Sequence, residues 1–450
     1  MVSRILSAIF IFMNIKQPDP CYRYGSHTSV WEFIPLLIPF LFLLLPVHTL
    51  KAAKYPDFNS PQPTSQNTRQ ITRYLKKGSA LVMDQNSQVL FTYNADKPMV
   101  PASILKIATA DAVLTTFGED YKIATEFYLS SNNYLIIKGY GDPSLVSESL
   151  SDIARHLKPI LKNRILKGVW LDNSFFKAHQ KVNGQSSSDN PYDASIGALV
   201  VNYNTIFVHK SRQGEISSAE PQTPLTSTAR FLAKSISFGK HRINLGGREA
   251  LTLKYFAELL QIKLQQQDIY FEQPLSIVHK SLPPESSKIY THYSRPLSEI
   301  VQQLLHYSNN FTANQLLLIL GARAYGIPAD LNKGQKALNH YLSNTIGLDK
   351  FILVEGSGLS RLNQFTAEQM ISILQHFKPY HYLLREYDKK FLAKTGTLKG
   401  IATFAGFMLA PDEQIVPFVI MLDKPEYSRY RYKIAELLYE LLFVNQNKQL

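Results

Sequence analysis

The chain has 450 residues, 45% hydrophobic and 18% charged, a balance that excludes a largely disordered polymer and a polytopic membrane protein and leaves room for two or three domains. Its net charge of +13, from 48 Lys and Arg against 35 Asp and Glu, is scattered along the chain instead of forming a basic stripe. Nucleic-acid binding therefore has no footprint, whereas a polyanionic wall or glycan neighbour is compatible.

Residues 34–47 are almost purely apolar, interrupted by Pro35, Pro39 and Pro46 and followed by Lys51, Ala52 and Ala53. That run is too short and too proline-rich for a comfortable membrane span. Residues 1–53 read as a signal peptide cleaved near Ala53 or, if retained, as a membrane anchor. Cys21, the only cysteine, lies before the apolar run, so an exported mature chain would hold no disulfide and no cysteine metal site. The histidines show no ligand spacing, and neither a metal nor another cofactor is expected. Residues 54–78, rich in Pro, Gln, Asn and Ser as far as about position 70, read as linker and lead-in.

Beyond the linker, residues 79–83 and 89–93 predict a hairpin around a polar turn. Pro101 then opens a helix with Ile104, Leu105, Ile107, Ala108, Val113 and Leu114 as its apolar positions. Residues 125–288 differ in texture, with a turn at Ser131-Asn132-Asn133, another from Gly139 to Pro143 and many short β-like runs. They predict a mostly β inserted region of one or two domains. An amphipathic helix through Leu297, Ile300, Val301, Leu304 and Leu305 follows, then a second through Leu316, Leu317 and Leu320. The chain closes with strand-like runs at 391–395, 402–409 and 415–422 and a helical repeat over 431–444. Strands from both ends can share one antiparallel sheet flanked by helices, an α+β body built from 79–124 plus 289–450.

Three polar clusters on this frame carry chemistry. Ser103-Ile104-Leu105-Lys106 is an SxxK at the start of a helix, where i and i+3 share a face and the amine can reach the hydroxyl. A desolvated lysine can take the serine's proton, and the helix N-terminus supplies N–H groups for an oxyanion. Taken alone the motif is weak, since about two or three such matches arise by chance in a chain this long. Ser174 to Lys177 and Ser237 to Lys240 are two others, neither on a convincing helix. For a serine followed two residues later by asparagine, Ser188-Asp189-Asn190 reads as a surface loop and Ser131-Asn132-Asn133 as a turn. Ser308-Asn309-Asn310 instead occupies a corner between two amphipathic helices, which can hold polar side chains over a cleft. Lys394-Thr395-Gly396-Thr397, the sole KTG, falls on a predicted strand able to grip a carboxylate and pair with an extended peptide.

In this order, SxxK, SxN and KTG resemble the motifs of penicillin-binding proteins and serine β-lactamases. The long stretch between the first two resembles the class C low-molecular-mass penicillin-binding proteins, the D-alanyl-D-alanine carboxypeptidase/endopeptidases. Gly139-Tyr140-Gly141-Asp142-Pro143-Ser144-Leu145 and Glu355-Gly356-Ser357-Gly358-Leu359-Ser360-Arg361 agree with that family. The resemblance implies a β-lactamase/transpeptidase-like fold with Ser103 as nucleophile, Lys106 as its base, Ser308 passing a proton to the leaving amine and Asn310 orienting Lys106 and substrate. It further implies that Lys394, Thr395, Gly396 and Thr397 bind substrate, with the N–H groups of Ser103 and Thr397 as oxyanion hole. Glu355 and Arg361 stay outside that set, a structural turn explaining them equally well. The implied partners are peptidoglycan stem peptides and, as covalent inhibitors, β-lactam antibiotics, in an exported enzyme at the cell wall or peripheral to the membrane. A serine β-lactamase and an inactive wall-binding homologue are the rival readings.

Overall fold

The computed structural model describes residues 66–186, 188–426 and 428–444. The predicted leader or anchor, and the linker as far as residue 65, lie outside them. Within the described part of the lead-in, the chain is helical: α1 (Gln66–Tyr74) and the turn after it bury Ile71 and Leu75 completely. Those two apolar positions, four apart on one face, outweigh the polar composition that suggested a linker.

β1 (Gly78–Met83) and β2 (Val89–Tyr93) form the predicted hairpin, its turn held by Asp84 Oδ1 accepting from the N–H groups of Asn86 and Gln88. A 3-10 turn (Ala102–Leu105) leads into α2 (Lys106–Phe117). Every residue of α2 from Lys106 to Leu114 is buried, so the helix runs through the interior and is not laid on its surface.

The intervening segment runs β3 (Ala124–Leu129), β4 (Tyr134–Gly139), α3 (Ser147–Leu161), β5 (Ile165–Asp172), β6 (Thr205–Lys210), β7 (Ile216–Ser218), α4 (Ser227–Ala233), β8 (Gly239–Asn244), α5 (Glu249–Gln265), β9 (Tyr270–His279) and β10 (Ser287–Tyr293). Its strands form a five-stranded sheet, β10-β3-β4-β5-β9, and a three-stranded one, β7-β6-β8. The region predicted as mostly β is thus also helical, and the β4–β5 and β5–β9 pairs are parallel. Parallel neighbours need crossovers, here α3 and a longer path ending in α5, whose Leu150, Ile153, Leu157, Phe256 and Leu260 pack on Leu135, Ile137, Val169 and Leu171. Short apolar runs do not by themselves separate strand from buried helix, which is why the sequence understated these helices. β10 pairs with β3, so the sheet draws in residues 287–293 across the boundary predicted at 288.

The remaining elements are α6 (Leu297–Tyr307), α7 (Asn310–Tyr325), α8 (Leu331–Asn344), α9 (Ala367–Phe377), β11 (Arg385–Tyr387), β12 (Phe391–Leu398), β13 (Ile401–Leu409), β14 (Ile415–Asp423) and α10 (Tyr430–Tyr439). They complete a six-stranded antiparallel sheet, β11-β12-β13-β14-β1-β2, that joins both ends of the described chain as the sequence predicted. Alternate residues of β14 serve its two faces. Val419 and Met421 join the core of α2, α7 and α9, while Phe418 and Ile420 pack with Ile71 and Leu75 of the N-terminal lead-in and with Ile434 and Leu438 of α10. Among the described residues no helix is long and apolar enough to cross a membrane.

Candidate active site

Ser103 stands in the 3-10 turn, one step after Ala102, whose φ of +50° is unusual for a residue with a side chain. Strain of this kind persists only where the surroundings fix it. Here Thr403 of β13 donates to the Pro101 carbonyl at 2.8 Å, and Gly358 is so close that a Cβ on it would lie 1.8 Å from the Ala102 carbonyl oxygen. The result is a half-exposed serine on a short, braced turn immediately before α2.

One turn on, Lys106 is completely buried. Its Nζ lies 3.0 Å from Ser103 Oγ, 2.6 Å from Asn310 Oδ1 and 2.6 Å from the Ser357 carbonyl oxygen. Burial pushes the Lys106 amine down to about 7, against the opposing pull of the Glu355 carboxylate. A neutral amine has two hydrogens and one lone pair. Asn310 Oδ1 and the Ser357 carbonyl can only accept, so they take both hydrogens and leave the lone pair for the Ser103 hydroxyl.

Asn310 begins α7, and Asn309 caps it by accepting from the Thr312 N–H at 3.3 Å. Ser308 ends α6 with φ +60°, turning the chain so that α6 and α7 meet in the predicted corner. The competing clusters are elsewhere: Ser188 hydrogen-bonds Asp193 in a loop, Asn133 sits in the β3–β4 turn, Ser174 donates to Asp172 Oδ1 at 2.6 Å, and Lys240 lies on β8.

Lys394, Thr395, Gly396 and Thr397 lie on β12 and pair with β13 in the register Thr395↔Phe404, Gly396↔Thr403, Thr397↔Ala402. On the other edge β11 pairs only with Phe391, Leu392 and Ala393, so the backbone of the KTG segment is unpaired there. Gly396 faces the serine: a Cβ on it would lie 2.8 Å from the Ser103 nitrogen and 2.1 Å from Thr403 Oγ1. Lys394 is buried, donates to the Thr395 carbonyl at 2.9 Å, and is held well below the ordinary lysine range by burial and then by the charges of Lys106, Arg431 and Arg385. The fold therefore brings Ser103, Lys106 and Asn310 together beside the KTG strand, while Ser308 stands at the helix corner with no side-chain hydrogen bond to any of them among the described residues.

Two further residues belong here that the sequence reading left out. Glu355 is buried and accepts from Asn363 Nδ2 (2.9 Å), the Ser360 N–H (3.2 Å), Asn314 Nδ2 (3.4 Å) and both the N–H (2.7 Å) and hydroxyl of Ser357. It fixes the residue whose carbonyl holds Lys106. Arg431, in the first turn of α10, donates to the Gly396 carbonyl at 2.6 Å and to Thr397 Oγ1 at 2.7 Å. It sits at the head of the apolar stripe Ile434, Ala435, Leu438, and a charge in such a stripe was the available signal. Arg361 remains at the surface, bound to the Lys399 carbonyl.

A braced serine in hydrogen-bond reach of a buried lysine, with an open strand edge opposite, has the geometry that acyl transfer through a serine requires. The chain belongs to the D-Ala-D-Ala carboxypeptidase 3 (S13) family, whose model matches residues 72–237 and 240–387. It is 24% identical over 434 residues to the D-alanyl-D-alanine carboxypeptidase DacB of Haemophilus influenzae, covering 82% of this chain and 90% of that one. It is 23% identical over 412 residues to a D-alanyl-D-alanine carboxypeptidase of Actinomadura, covering 75% of this chain and 76% of that one. In fold it matches the crystal structure of penicillin binding protein 4 (dacB) from Haemophilus influenzae, with a TM-score of 0.68, 20% identity, and 82% and 99% of the two chains covered. A penicillin G-acylated predatory endopeptidase from Bdellovibrio bacteriovorus, in complex with an immunity protein, matches with a TM-score of 0.51, 16% identity, and 82% and 93% covered.

Proposed function

We propose that this chain hydrolyses the bond between two D-alanines of peptidoglycan stem peptides, as carboxypeptidase and cross-link endopeptidase, through an acyl-enzyme on Ser103. The observation that carries this reading is the 3.0 Å approach of Lys106 Nζ to the half-exposed Ser103 hydroxyl while two pure acceptors occupy the amine's other positions. Ser103 Oγ attacks the penultimate D-alanine carbonyl as its proton passes to Lys106. The N–H groups of Ser103 and Thr397, on segments that touch at Gly396, take the oxyanion. Lys106 gives that proton back through Ser308 to the departing amine, the C–N bond breaks, and the terminal D-alanine leaves. Asn310 holds both Lys106 and the substrate amide, and Thr395 and Thr397 bind the terminal carboxylate. Water then attacks the ester carbonyl, giving one proton to Lys106 on the way in, and Ser103 leaves with a proton restored.

The unpaired edge of β12 supports this reading, because an extended peptide can add there as a strand and present its carbonyl to Ser103. β-Lactams would acylate the same hydroxyl and persist as inhibitors. Peptidoglycan lies outside the cytoplasmic membrane, so residues 1–53 are assigned to export or anchoring and the enzyme to the extracytoplasmic envelope.

A labelled penicillin, followed by peptide mapping, tests the assignment. The expected result is label on Ser103 that persists far beyond seconds, and loss of both labelling and D-alanine release in Ser103→Ala. Label on another residue, or full D-alanine release by Ser103→Ala, would remove the assignment, and penicillin turned over within seconds would favour a β-lactamase.

A further inference from the structure

Around β12, positive charge accumulates without a counter-ion among the described residues. Arg431 is buried, and besides its bonds to Gly396 and Thr397 it reaches the Tyr432 hydroxyl at 3.4 Å, while its Nε–H has no acceptor among the described residues. Lys394 lies on the strand that Arg431 braces, and Arg385 on β11 is close enough to act on Lys394 electrostatically. Among the described residues, none of Arg385, Lys394 and Arg431 forms an ion pair with a carboxylate. Burying a guanidinium without an anion is costly, and arginine cannot shed its proton to relieve the cost. Lys394 can, and burial biases it that way; Arg385 keeps its charge in contact with solvent, so Arg431 is the buried permanent charge of this wall.

The hydrogen-bond directions say what that charge does. A threonine hydroxyl has one hydrogen to give and two lone pairs to fill. Since Arg431 donates to Thr397 Oγ1, that side of the hydroxyl is an acceptor, and its hydrogen is left to donate away from α10. Thr397 is exposed, so the free hydrogen is available to an incoming ligand. We infer that Arg431 is a positioning residue that turns Thr397 into an outward donor and makes this site select substrates ending in a free carboxylate. The inference rests on the hydrolase reading above and adds a residue beyond the three motifs. A carboxylate meets a donor already polarised by a cation, whereas a carboxamide offers a weaker acceptor and a donor that the charge repels.

The test compares two thioester peptides that differ only at the C-terminus, a free carboxylate and its carboxamide, with the full chain and its Arg431→Met and Arg431→Lys variants. The ratio of kcat/KM for the two substrates does not depend on how much of each preparation is folded, so a partly unfolded variant remains informative. The wild type is expected to prefer the carboxylate. Loss of one charge-assisted contact should cost Arg431→Met roughly 10- to 100-fold on the carboxylate substrate and under about 3-fold on the carboxamide. Arg431→Lys should regain part of the preference. Equal losses on both substrates, or a wild type without preference, would overturn the inference while leaving the hydrolase reading intact. A wild type inactive on both would remove the two together.

Discussion

The site has two walls of opposite character. On the helical wall Lys106 is buried with all three of its positions occupied, by Ser103, Asn310 and the Ser357 carbonyl, and Glu355 behind it is saturated with donors. On the strand wall the backbone edge of residues 394–398 is unpaired by β11, and the guanidinium groups of Arg431 and Arg385 have no acidic partner among the described residues. The first wall is complete without a ligand, as proton transfer requires of groups that must already be in place. The second is left unsatisfied in ways that an extended peptide ending in a carboxylate would satisfy. Preorganised chemistry and deferred binding are thus separated onto different elements.

The sharpest way to break this contrast is Lys106→Met, which keeps the length of the stem and removes the amine. Loss of the general base should lower kcat/KM for D-alanine release about 10²- to 10⁴-fold. Thermal stability should fall modestly, because relief of the buried amine is offset by Asn310 Oδ1 and the Ser357 carbonyl being left buried without a donor, at about 1–3 kcal/mol each. Differential scanning calorimetry alongside the assay checks both halves, and a variant that loses stability while keeping activity would reverse the roles of the walls. Gly396→Ala acts where the walls touch. Its added methyl would meet Thr403 and the Ser103 nitrogen, so it should displace the strand from the serine and cost up to about 100-fold in acylation rate. Unchanged acylation would mean that the two walls are not in the close register described.

How much of this was legible beforehand follows the same division. The Ser103–Lys106 pair could be read because i and i+3 on a helix meet whatever the rest of the fold does. Ser308 and Asn310 could be chosen over Ser188 because apolar stripes on both sides marked a helix corner. The KTG strand was legible as the sole copy, and the union of both chain ends in one sheet followed from matching runs of strands. What was missed depends on long-range placement. The third partner of Lys106 is a backbone carbonyl, which any residue at 357 would carry, and the Glu355 loop looked like an ordinary turn. Arg431 acts only because α10 packs on β13 and β14, from where its side chain reaches Gly396 and Thr397 on β12. In the middle of the chain, α3 and α5 were understated since their apolar faces are met by strands distant in sequence.

The finest test concerns pH, because the helical wall sets the proton affinity of Lys106. With the amine pushed down to about 7, the neutral form that can accept the Ser103 proton predominates above pH 7. The second-order rate of acylation by a penicillin should therefore rise through about pH 7 and level off on the alkaline side. Glu355 opposes the effect of burial, since its negative charge favours the protonated amine and raises its proton affinity. In Glu355→Gln that charge is gone while much of the side chain's shape remains, so Lys106 should lose its proton more readily and the rising limb should move to lower pH. The substituted amide turns an NH₂ toward groups that donate to the carboxylate, so a lower melting temperature is also expected. The two effects separate cleanly, because the position of the limb is a property of the folded enzyme whatever its amount. A limb that stays near 7 in the variant would mean that burial alone sets the lysine and that Glu355 only holds the loop; a limb moved to higher pH would contradict the assignment of Lys106 as the base.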